Sequence, residues 1–287
     1  SIGQGFKAPD FRQLFLDFTN AAAGSYSVFG SAQAQQVIAR LDALGQIGNL
    51  FPNYYLLKAL KPEYSNGMHF TWDWKINPSS AMSVQLFRND IKNLIESQQV
   101  GTYISGAQIF SYINIGRAFT TGFEVEGQHQ FNANWSINGG YQYLRTGDKD
   151  QIAAIKSGTV YTKNSQGYSR LMKLNEYVGL PNTSTHKLQV KLNYNSPKGY
   201  YLNVRAIYRS KWAVNNNNGN EVFDNGDVFA SGYVAINSAA GKSFKNGVSI
   251  QGGIDNISNY IDATNLPNLP GRTFYTSIKY QLQQNKN

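Results

Sequence analysis

The 287-residue sequence contains no cysteine, so it has neither a disulfide framework nor a thiolate metal site. It has no continuous apolar run of about 18 residues, which excludes a membrane-spanning helix and leaves membrane-spanning strands open. Its three histidines, His69, His129 and His186, lie far apart and form no HExxH pair. Because no nucleophile motif accompanies them, the sequence predicts a protein that is not an enzyme and that holds no resident metal or cofactor.

Acidic residues are also scarce, with 17 Asp and Glu against 26 Lys and Arg and a formal net charge of +9. The basic residues are scattered along the chain and form no run, so we expect no nucleic-acid partner. A generally basic surface explains this balance most simply, and a lumen suited to anionic cargo is the alternative. The opening residues SIGQGFKAP lack the features of a signal peptide, so export requires an upstream segment or prior processing.

Aromatic residues are abundant, at 14% of the chain, and many of them recur with a period of two. The apolar members of the clearest example are Met68, Phe70, Trp72, Trp74 and Ile76. Polar side chains fill the positions between them, and residues 188–194 and 200–206 repeat the pattern. Two-faced strands of about ten residues, rich in aromatics, are typical of a transmembrane antiparallel β-barrel. A soluble β-sandwich is the alternative fold.

The alternation predicts an all-β chain of ten strands. They lie near residues 64–77, 81–95, 107–118, 120–131, 135–146, 183–195, 200–212, 231–244, 247–258 and 271–282. Short turns rich in Asn, Pro, Ser and Gly are expected at residues 77–80, 132–134, 195–199 and 245–247. Long loops are expected at residues 146–182, 213–230 and 258–270. Alternating short turns and long loops fit a periplasmic and an extracellular rim, respectively.

Two local patterns add detail to this picture. Residues 31–48 lack the alternation and predict a short helix within an external loop, with Val37, Leu41 and Leu44 on one face. Glu124 and Glu126 alternate with apolar neighbours in a predicted strand. Because carboxylates are costly on the lipid face, we expect both of them to face the lumen.

Four short stretches carry a family resemblance. The first two are Gly5-Phe6-Lys7-Ala8-Pro9 and Lys61-Pro62-Glu63-Tyr64-Ser65. The third joins Asn114-Ile115-Gly116-Arg117-Ala118 to Gly122-Phe123-Glu124-Val125-Glu126, and the fourth joins Asp255-Asn256-Ile257-Ser258-Asn259-Tyr260 to Pro270-Gly271-Arg272-Thr273-Phe274-Tyr275. In this order they resemble the C-terminal half of the barrel of TonB-dependent outer-membrane receptors, especially those of the Bacteroidota, in which the third stretch would be two strands around a tight turn. The resemblance assigns structural roles to Phe6, Pro9, Pro62, Glu63, Asn114, Gly116, Gly122, Glu124, Asn256, Tyr260, Gly271 and Arg272.

The resemblance implies a location in the outer membrane of a Gram-negative bacterium and a barrel of about 22 strands around an N-terminal plug. Residues 1–287 cannot hold both, so we expect them to be the C-terminal part of the barrel. The plug and the first barrel half would belong to the same gene product or to a second chain. The implied partners are these missing parts, the TonB energy-coupling complex, outer-membrane lipid, an anionic metal-chelate cargo and, in some receptors, a surface lipoprotein.

The implied function is to bind a scarce nutrient complex and to import it by TonB-coupled active transport. A ferric siderophore is the favoured cargo, with haem and cobalamin as alternatives. Candidate ligand-binding residues are loop aromatics and cations, which suit an anionic ferric siderophore. They are Tyr54, Tyr55, Tyr161, Tyr168, Arg170, Lys173 and Trp212.

Other readings of these residues and of the chain stay open. No histidine lies between the first two motif stretches, where similar haem receptors carry their iron ligand. This disfavours histidine-ligated haem and leaves tyrosine ligation by Tyr26, Tyr54 or Tyr55. Each candidate residue is alternatively an ordinary loop residue or an interfacial anchor. The rival functions are a non-transporting outer-membrane adhesin and an extracellular carbohydrate-binding β-module.

Overall fold

The computed structural model describes residues 1–20, 26–164, 166–216, 220 and 222–281. Their strands are β1 (Ile2–Lys7), β2 (Asp17–Asn20), β3 (Tyr26–Phe29), β4 (Ile47–Leu50), β5 (Glu63–Asn77), β6 (Ser80–Tyr103), β7 (Gln108–Gln130), β8 (Trp135–Asp148), β9 (Tyr161–Lys163), β10 (Ser169–Leu171), β11 (His186–Asn195), β12 (Tyr200–Arg209), β13 (Trp212–Asn215), β14 (Val228–Ala230), β15 (Tyr233–Ser243), β16 (Val248–Asp255) and β17 (Thr273–Tyr280). The helices are α1 (Phe11–Phe15), α2 (Ser31–Ala43) and α3 (Lys149–Lys156), and the 3₁₀ turns are η1 (Pro52–Leu56) and η2 (Leu174–Glu176).

Ten strands form one hydrogen-bonded path in the described part of the chain. Its order is β1-β5-β6-β7-β8-β11-β12-β15-β16-β17, so consecutive long strands are neighbours and the sheet is open at β1 and β17. Short strands join beside this path: β3 pairs in parallel with β7 and antiparallel with β2, and β4 pairs with β6. Two separate hairpins, β9–β10 and β13–β14, lie in the long loops. The predicted antiparallel all-β fold is confirmed.

The predicted turns are confirmed as well. Between β5 and β6 lie only residues 78–79, and four residues separate β7 from β8, β11 from β12 and β15 from β16. The intervening Asn, Pro, Ser and Gly residues supply the backbone angles that such turns require, as Gly199 does with a φ of 81°. The connection after β8 is longer and contains α3, β9, β10 and η2.

One strand prediction is wrong, and one strand was missed. Residues 107–118 and 120–131 were expected to be two strands around a tight turn, whereas β7 runs unbroken across Ala118 and Phe119. Phe119, Thr120 and Thr121 are aromatic or β-branched and favour an extended chain, so the lapse in alternation there is not a turn. Strand β1 was missed because glycines 3 and 5 interrupt its pattern, but it pairs with β5 from Ile2↔Met68 to Lys7↔Glu63.

The alternating apolar face of β5 is solvent-accessible in the chain by itself. Phe70, Trp72, Trp74 and Ile76 are 62%, 60%, 50% and 49% exposed. No second sheet among the described residues covers them, so the β-sandwich alternative is wrong. A row of large apolar side chains left open in this way is suited to hydrocarbon. None of the described helices has the length and apolar character needed to cross a membrane.

The described chain divides into two compact units that share the long strands. The first contains residues 1–68, 89–119 and 148–150, and the second contains residues 69–88, 120–147 and those from 151 onward. The core of the first unit lies beneath α2 and comprises Phe29, Ala34, Ile38, Leu57, Val100, Ile109 and Ile113. The predicted helix is therefore confirmed.

Its buried face is shifted from the one expected. Val37 and Leu41 only flank the core, and Leu44 is 62% exposed because the helix ends at Ala43.

Candidate functional site

Arg170 and Lys173 lie in the long connection of the second unit between α3 and β11. The Arg170 guanidinium forms a bidentate ion pair with the Glu176 carboxylate. Its Nη1 donates to Oε2 at 2.9 Å, and its Nη2 donates to Oε1. The backbone N–H of Lys173 also donates to Glu176 Oε2, at 2.8 Å. Hydrogen bonding to Arg170 lowers the pKa of Glu176 to about 2. The predicted cargo-binding arginine thus already has a carboxylate partner, which orders η2 beside the exposed Lys173.

Tyr161 and Tyr168 lie in the same connection and present open rings. They are 55% and 72% exposed, and the β9–β10 hairpin places Tyr161 opposite Leu171. A small core supports this hairpin from below and consists of Ile155, Val160, Met172 and Val222. The structure therefore brings Tyr161, Tyr168, Arg170 and Lys173 together on one supported loop. Their contact with cargo stays a prediction.

Trp212 is in a different position. Its side chain is 3% exposed, and the guanidinium carbon of Arg209 lies 3.8 Å from the centre of its ring. Arg209 itself donates from Nε to Ser184 Oγ and from Nη2 to the carbonyl oxygen of Asn182, at 3.1 Å in the second case. Trp212 is therefore buried against Arg209 in this structure, and its predicted contact with cargo stays a prediction.

Tyr54 and Tyr55 belong to the first unit, within η1. Tyr54 packs against the core beneath α2, whereas Tyr55 is 72% exposed. Their ring centres are 5.3 Å apart, with planes at 78°, which is the edge-to-face arrangement that aromatic pairs prefer. The pair thus has one anchored ring and one presented ring.

The N-terminal motif residues hold neighbouring strands of the first unit together through side-chain contacts. Glu63 Oε1 accepts bonds from Lys7 Nζ at 3.1 Å and from the backbone N–H of Ile95 at 3.0 Å. The Asn114 side chain accepts from the N–H of Lys61 at 2.7 Å and donates to the carbonyl oxygens of Lys61 and Asn93 at 2.9 and 2.7 Å. Phe6 and Tyr64 stack edge to face, with ring centres 5.3 Å apart. These contacts fit the structural role assigned by resemblance.

Two motif glycines are sites of close approach. A Cβ atom on Gly116 would overlap the Asp150 carboxylate, which pairs with Arg117 at 2.6 Å. A Cβ atom on Gly122 would overlap the carbonyl oxygen of Tyr143. Only glycine lets β7 pass these points without displacing its neighbours.

The last motif is organised around Asn256, which is 4% exposed and adopts a φ of 51°. Its side-chain nitrogen donates to the carbonyl oxygens of Tyr260 at 2.7 Å and Pro270 at 2.9 Å, and its side-chain oxygen accepts from the N–H of Tyr260 at 3.0 Å. Arg272 Nε donates to the carbonyl oxygen of Ile257 at 3.1 Å. Asparagine tolerates the left-handed conformation, so the Asn256 side chain, together with Arg272, closes the loop between β16 and β17 at its base.

The polar face of the second unit forms a concave wall. A cavity of about 990 Å³ opens there, and its lining includes Glu126, Gln128, Lys191 and Arg205. Glu124 lies on the same face of β7 as Glu126 and accepts a hydrogen bond from Gln142 Nε2 at 2.5 Å. Both glutamates therefore lie on the polar face, as predicted. Within the described residues, no group of three or more His, Cys, Asp and Glu side chains could hold a metal ion.

Comparison with known proteins accounts for the fold. The family model for the TonB dependent receptor-like β-barrel matches residues 1–257. The chain belongs to the TonB-dependent receptor family. Barrels of this family are outer-membrane proteins of Gram-negative bacteria, so the apolar face of β5 is the lipid face. A search of curated proteins gave no match.

Solved structures agree on the fold at low sequence identity. The siderophore receptor PirA from Acinetobacter baumannii is 15% identical, with a TM-score of 0.58, over 97% of this chain and 38% of its own. A mutant of the ferric enterobactin receptor PfeA from Pseudomonas aeruginosa, solved with enterobactin, is 17% identical, with a TM-score of 0.58, over 96% and 37%. The copper transporter OprC is 15% identical, with a TM-score of 0.57, over 97% and 36%. The chain thus spans somewhat more than a third of the length of these proteins.

One set of charged residues was missed by reasoning from the sequence. They are Lys187, Lys191 and Arg205, which lie on strands, where the sequence alone does not distinguish them from ordinary polar residues of a two-faced strand. The signal was available in principle, because the short turn at residues 196–199 fixes which residues of β11 and β12 face each other.

Proposed function

We propose that this chain is the C-terminal part of an outer-membrane receptor that binds an anionic ferric siderophore and imports it by TonB-coupled active transport. The complete barrel has about 22 strands, with the plug and the first barrel half supplied outside residues 1–287. The edges of an open sheet in lipid leave backbone groups without partners, so the missing half must complete the barrel. The TonB complex then acts on the plug.

The observation that carries this proposal is the supported loop of the second unit. It presents two exposed tyrosines, Tyr161 and Tyr168, beside the exposed Lys173, on a scaffold held by the Arg170–Glu176 ion pair. Phenol rings and an ammonium group suit the aromatic and anionic surface of a catecholate or carboxylate chelate. Two proteins of similar structure, a siderophore receptor and a ferric enterobactin receptor, support the same class of cargo.

Uptake of radioactive iron tests the proposal. The full receptor containing this chain would be produced in a Gram-negative host that lacks its own ferric siderophore receptors, with and without a functional TonB. We expect uptake of a ferric siderophore that disappears without TonB. Substituting both Tyr161 and Tyr168 by alanine should raise the dissociation constant of the ferric siderophore from the receptor. Y200A, outside this loop, should leave that constant unchanged. Uptake that persists without TonB would contradict the proposal.

A further inference from the structure

The β11–β12 hairpin carries an unusual charge pattern on the polar face of the second unit. Residues 186–209 contain five Lys and Arg and no Asp or Glu. The register of the hairpin sets Lys191 directly opposite Arg205, and Lys187 directly opposite Arg209. Directly opposed side chains have Cβ atoms about 5 Å apart, and like charges at this spacing are destabilising. The fold thus sets two pairs of cationic residues opposite each other on one face of one hairpin, and Arg209 alone turns its guanidinium towards Ser184 and Asn182.

The two strands that flank the hairpin, β8 and β15, place no carboxylate beside Lys191 or Arg205. Within the described residues, Lys187, Lys191 and Arg205 form no ion pair. The neighbour of Lys191 on β8 is Asn138, and the neighbour of Arg205 on β15 is Asn237. Arg205 donates from Nη2 to Gln189 Oε1 at 3.0 Å, which orients its guanidinium and leaves its charge uncompensated.

The next row of the same wall shows that a neutral arrangement was accessible to this fold. There Asn203 donates to Asn193 Oδ1 at 2.6 Å, and Asn193 donates to Asn138 Oδ1 at 3.1 Å, so amides bridge β12, β11 and β8. The charged row therefore reflects no requirement of strand pairing. We expect a bound ligand to balance the repulsion between the like charges of this row.

The geometry points to an anion. Lys191 and Arg205 border the cavity of about 990 Å³, which is large enough for a metal chelate and whose lining elsewhere includes Lys75, Asp73 and Glu126. Lys187 lies four residues farther from the short turn along β11, a distance of about 13 Å. We propose that Lys191 and Arg205, with Lys187 at the outer end, form an anion track on the lumenal wall that receives the anionic chelate after it leaves the outer loops. The arginine fork pairs two oxygens of the chelate, and each lysine acts as a point charge.

This inference rests on the proposed function, and transport kinetics can separate the two. The full receptor would be given two radioactive iron chelates, an anionic ferric tris-catecholate and a neutral ferric tris-hydroxamate. For the K191Q/R205Q variant we expect the maximal uptake rate of the tris-catecholate to fall about fivefold, with KM changed less than about twofold, because outer binding is untouched. K191R/R205K, which keeps both charges, should retain uptake, and K198Q in the short turn should match wild type.

Outer-membrane abundance of each variant and exclusion of vancomycin by the cells complete the experiment. An unchanged maximal rate for the tris-catecholate in a normally inserted K191Q/R205Q receptor overturns the anion track alone. Equal loss for both chelates, or entry of vancomycin, also overturns it, because the two cations would then hold the plug. Wild-type uptake of neither chelate refutes the proposed function and this role with it, and uptake of only the neutral one refutes the anionic cargo.

Discussion

The outer loop and the lumenal wall of the second unit both present cations, but among the described residues only the loop pairs its arginine with a carboxylate. Arg170 is gripped by Glu176, and its charge helps to order a short loop. Lys191 and Arg205 face each other with no carboxylate partner in the described residues, and their charge remains available. The identity of a cation in a sequence therefore does not reveal whether it binds a ligand. The residue that lies across from the cation shows whether its charge is available to a ligand.

The substitution with the largest expected effect tests whether β11 tolerates cations only on its polar face. Val190 lies at the middle of β11 on the apolar face, next to Gln189 and Lys191 on the polar face. Val190→Arg would place a charge in lipid and should destabilise the folded receptor by about 2–4 kcal/mol. Gln189→Arg, one residue away, should cost much less. Urea titration of the receptor in phospholipid vesicles measures both, and equal costs would show that the faces are misassigned.

Removing the loop carboxylate should have a smaller effect, confined to the loop. Glu176→Gln leaves Arg170 without its ionic partner and should destabilise the loop by about 1 kcal/mol, a figure reduced for the partial exposure of both side chains. Limited proteolysis between α3 and β11 should become severalfold faster. Arg170→Lys, which keeps the charge but loses the two-pronged geometry, should give an intermediate rate. A cleavage rate equal to wild type in Glu176→Gln would mean that the ion pair does not order this loop.

Acid should produce the same loosening in the unmodified protein. Because the folded-state pKa of Glu176 is lowered from 4.5 to about 2, its contribution to stability is complete above about pH 4.5. That contribution is lost progressively as the pH falls from 4.5 towards 2. Proteolysis by an acid-active protease should therefore accelerate between pH 5 and pH 3 in wild type. The Glu176→Gln variant should show no such change at this loop, and a parallel acceleration in the variant would assign the effect to other groups.

The smallest expected effect has the opposite sign. Lys191→Glu would turn the repulsive pair with Arg205 into an attractive one, which should stabilise the receptor by about 0.2–1 kcal/mol. The same substitution should slow uptake of the anionic chelate, so stability and transport should move in opposite directions. Lys191→Gln, which only removes the repulsion, should stabilise less. Destabilisation by Lys191→Glu in the urea titration would argue that Lys191 has an acidic partner in the complete receptor.

Much of this fold was predictable, because alternation and turn composition are local properties. The turns at residues 78–79 and 196–199 follow from their Asn, Pro, Ser and Gly content. The continuity of β7 was not predictable in this way, because a lapse in alternation near Phe119 looks like a turn until the packing of its neighbours is known. The glycine-interrupted β1 is recognisable only through its pairing with β5.

The candidate site was predictable in its chemistry but not in its partners. Tyr161 and Tyr168 are exposed loop aromatics, as their composition suggests. The ion pair of Arg170 and the burial of Trp212 depend on contacts that the sequence does not display. The cations of β11 and β12 oppose each other only in the observed strand register. One extra or missing turn residue would shift this register and move their side chains to the other face.

The closed loop around Asn256 has a practical consequence. Since the Asn256 carboxamide and Arg272 tie residues 257–270 at their base, we expect a change at the tip of that loop to leave β17 undisturbed. Pro267 and Asn268 lie exposed at this tip. A peptide epitope inserted between them should be displayed outside the cell without disturbing strand assembly, which offers a handle for counting receptors on living bacteria.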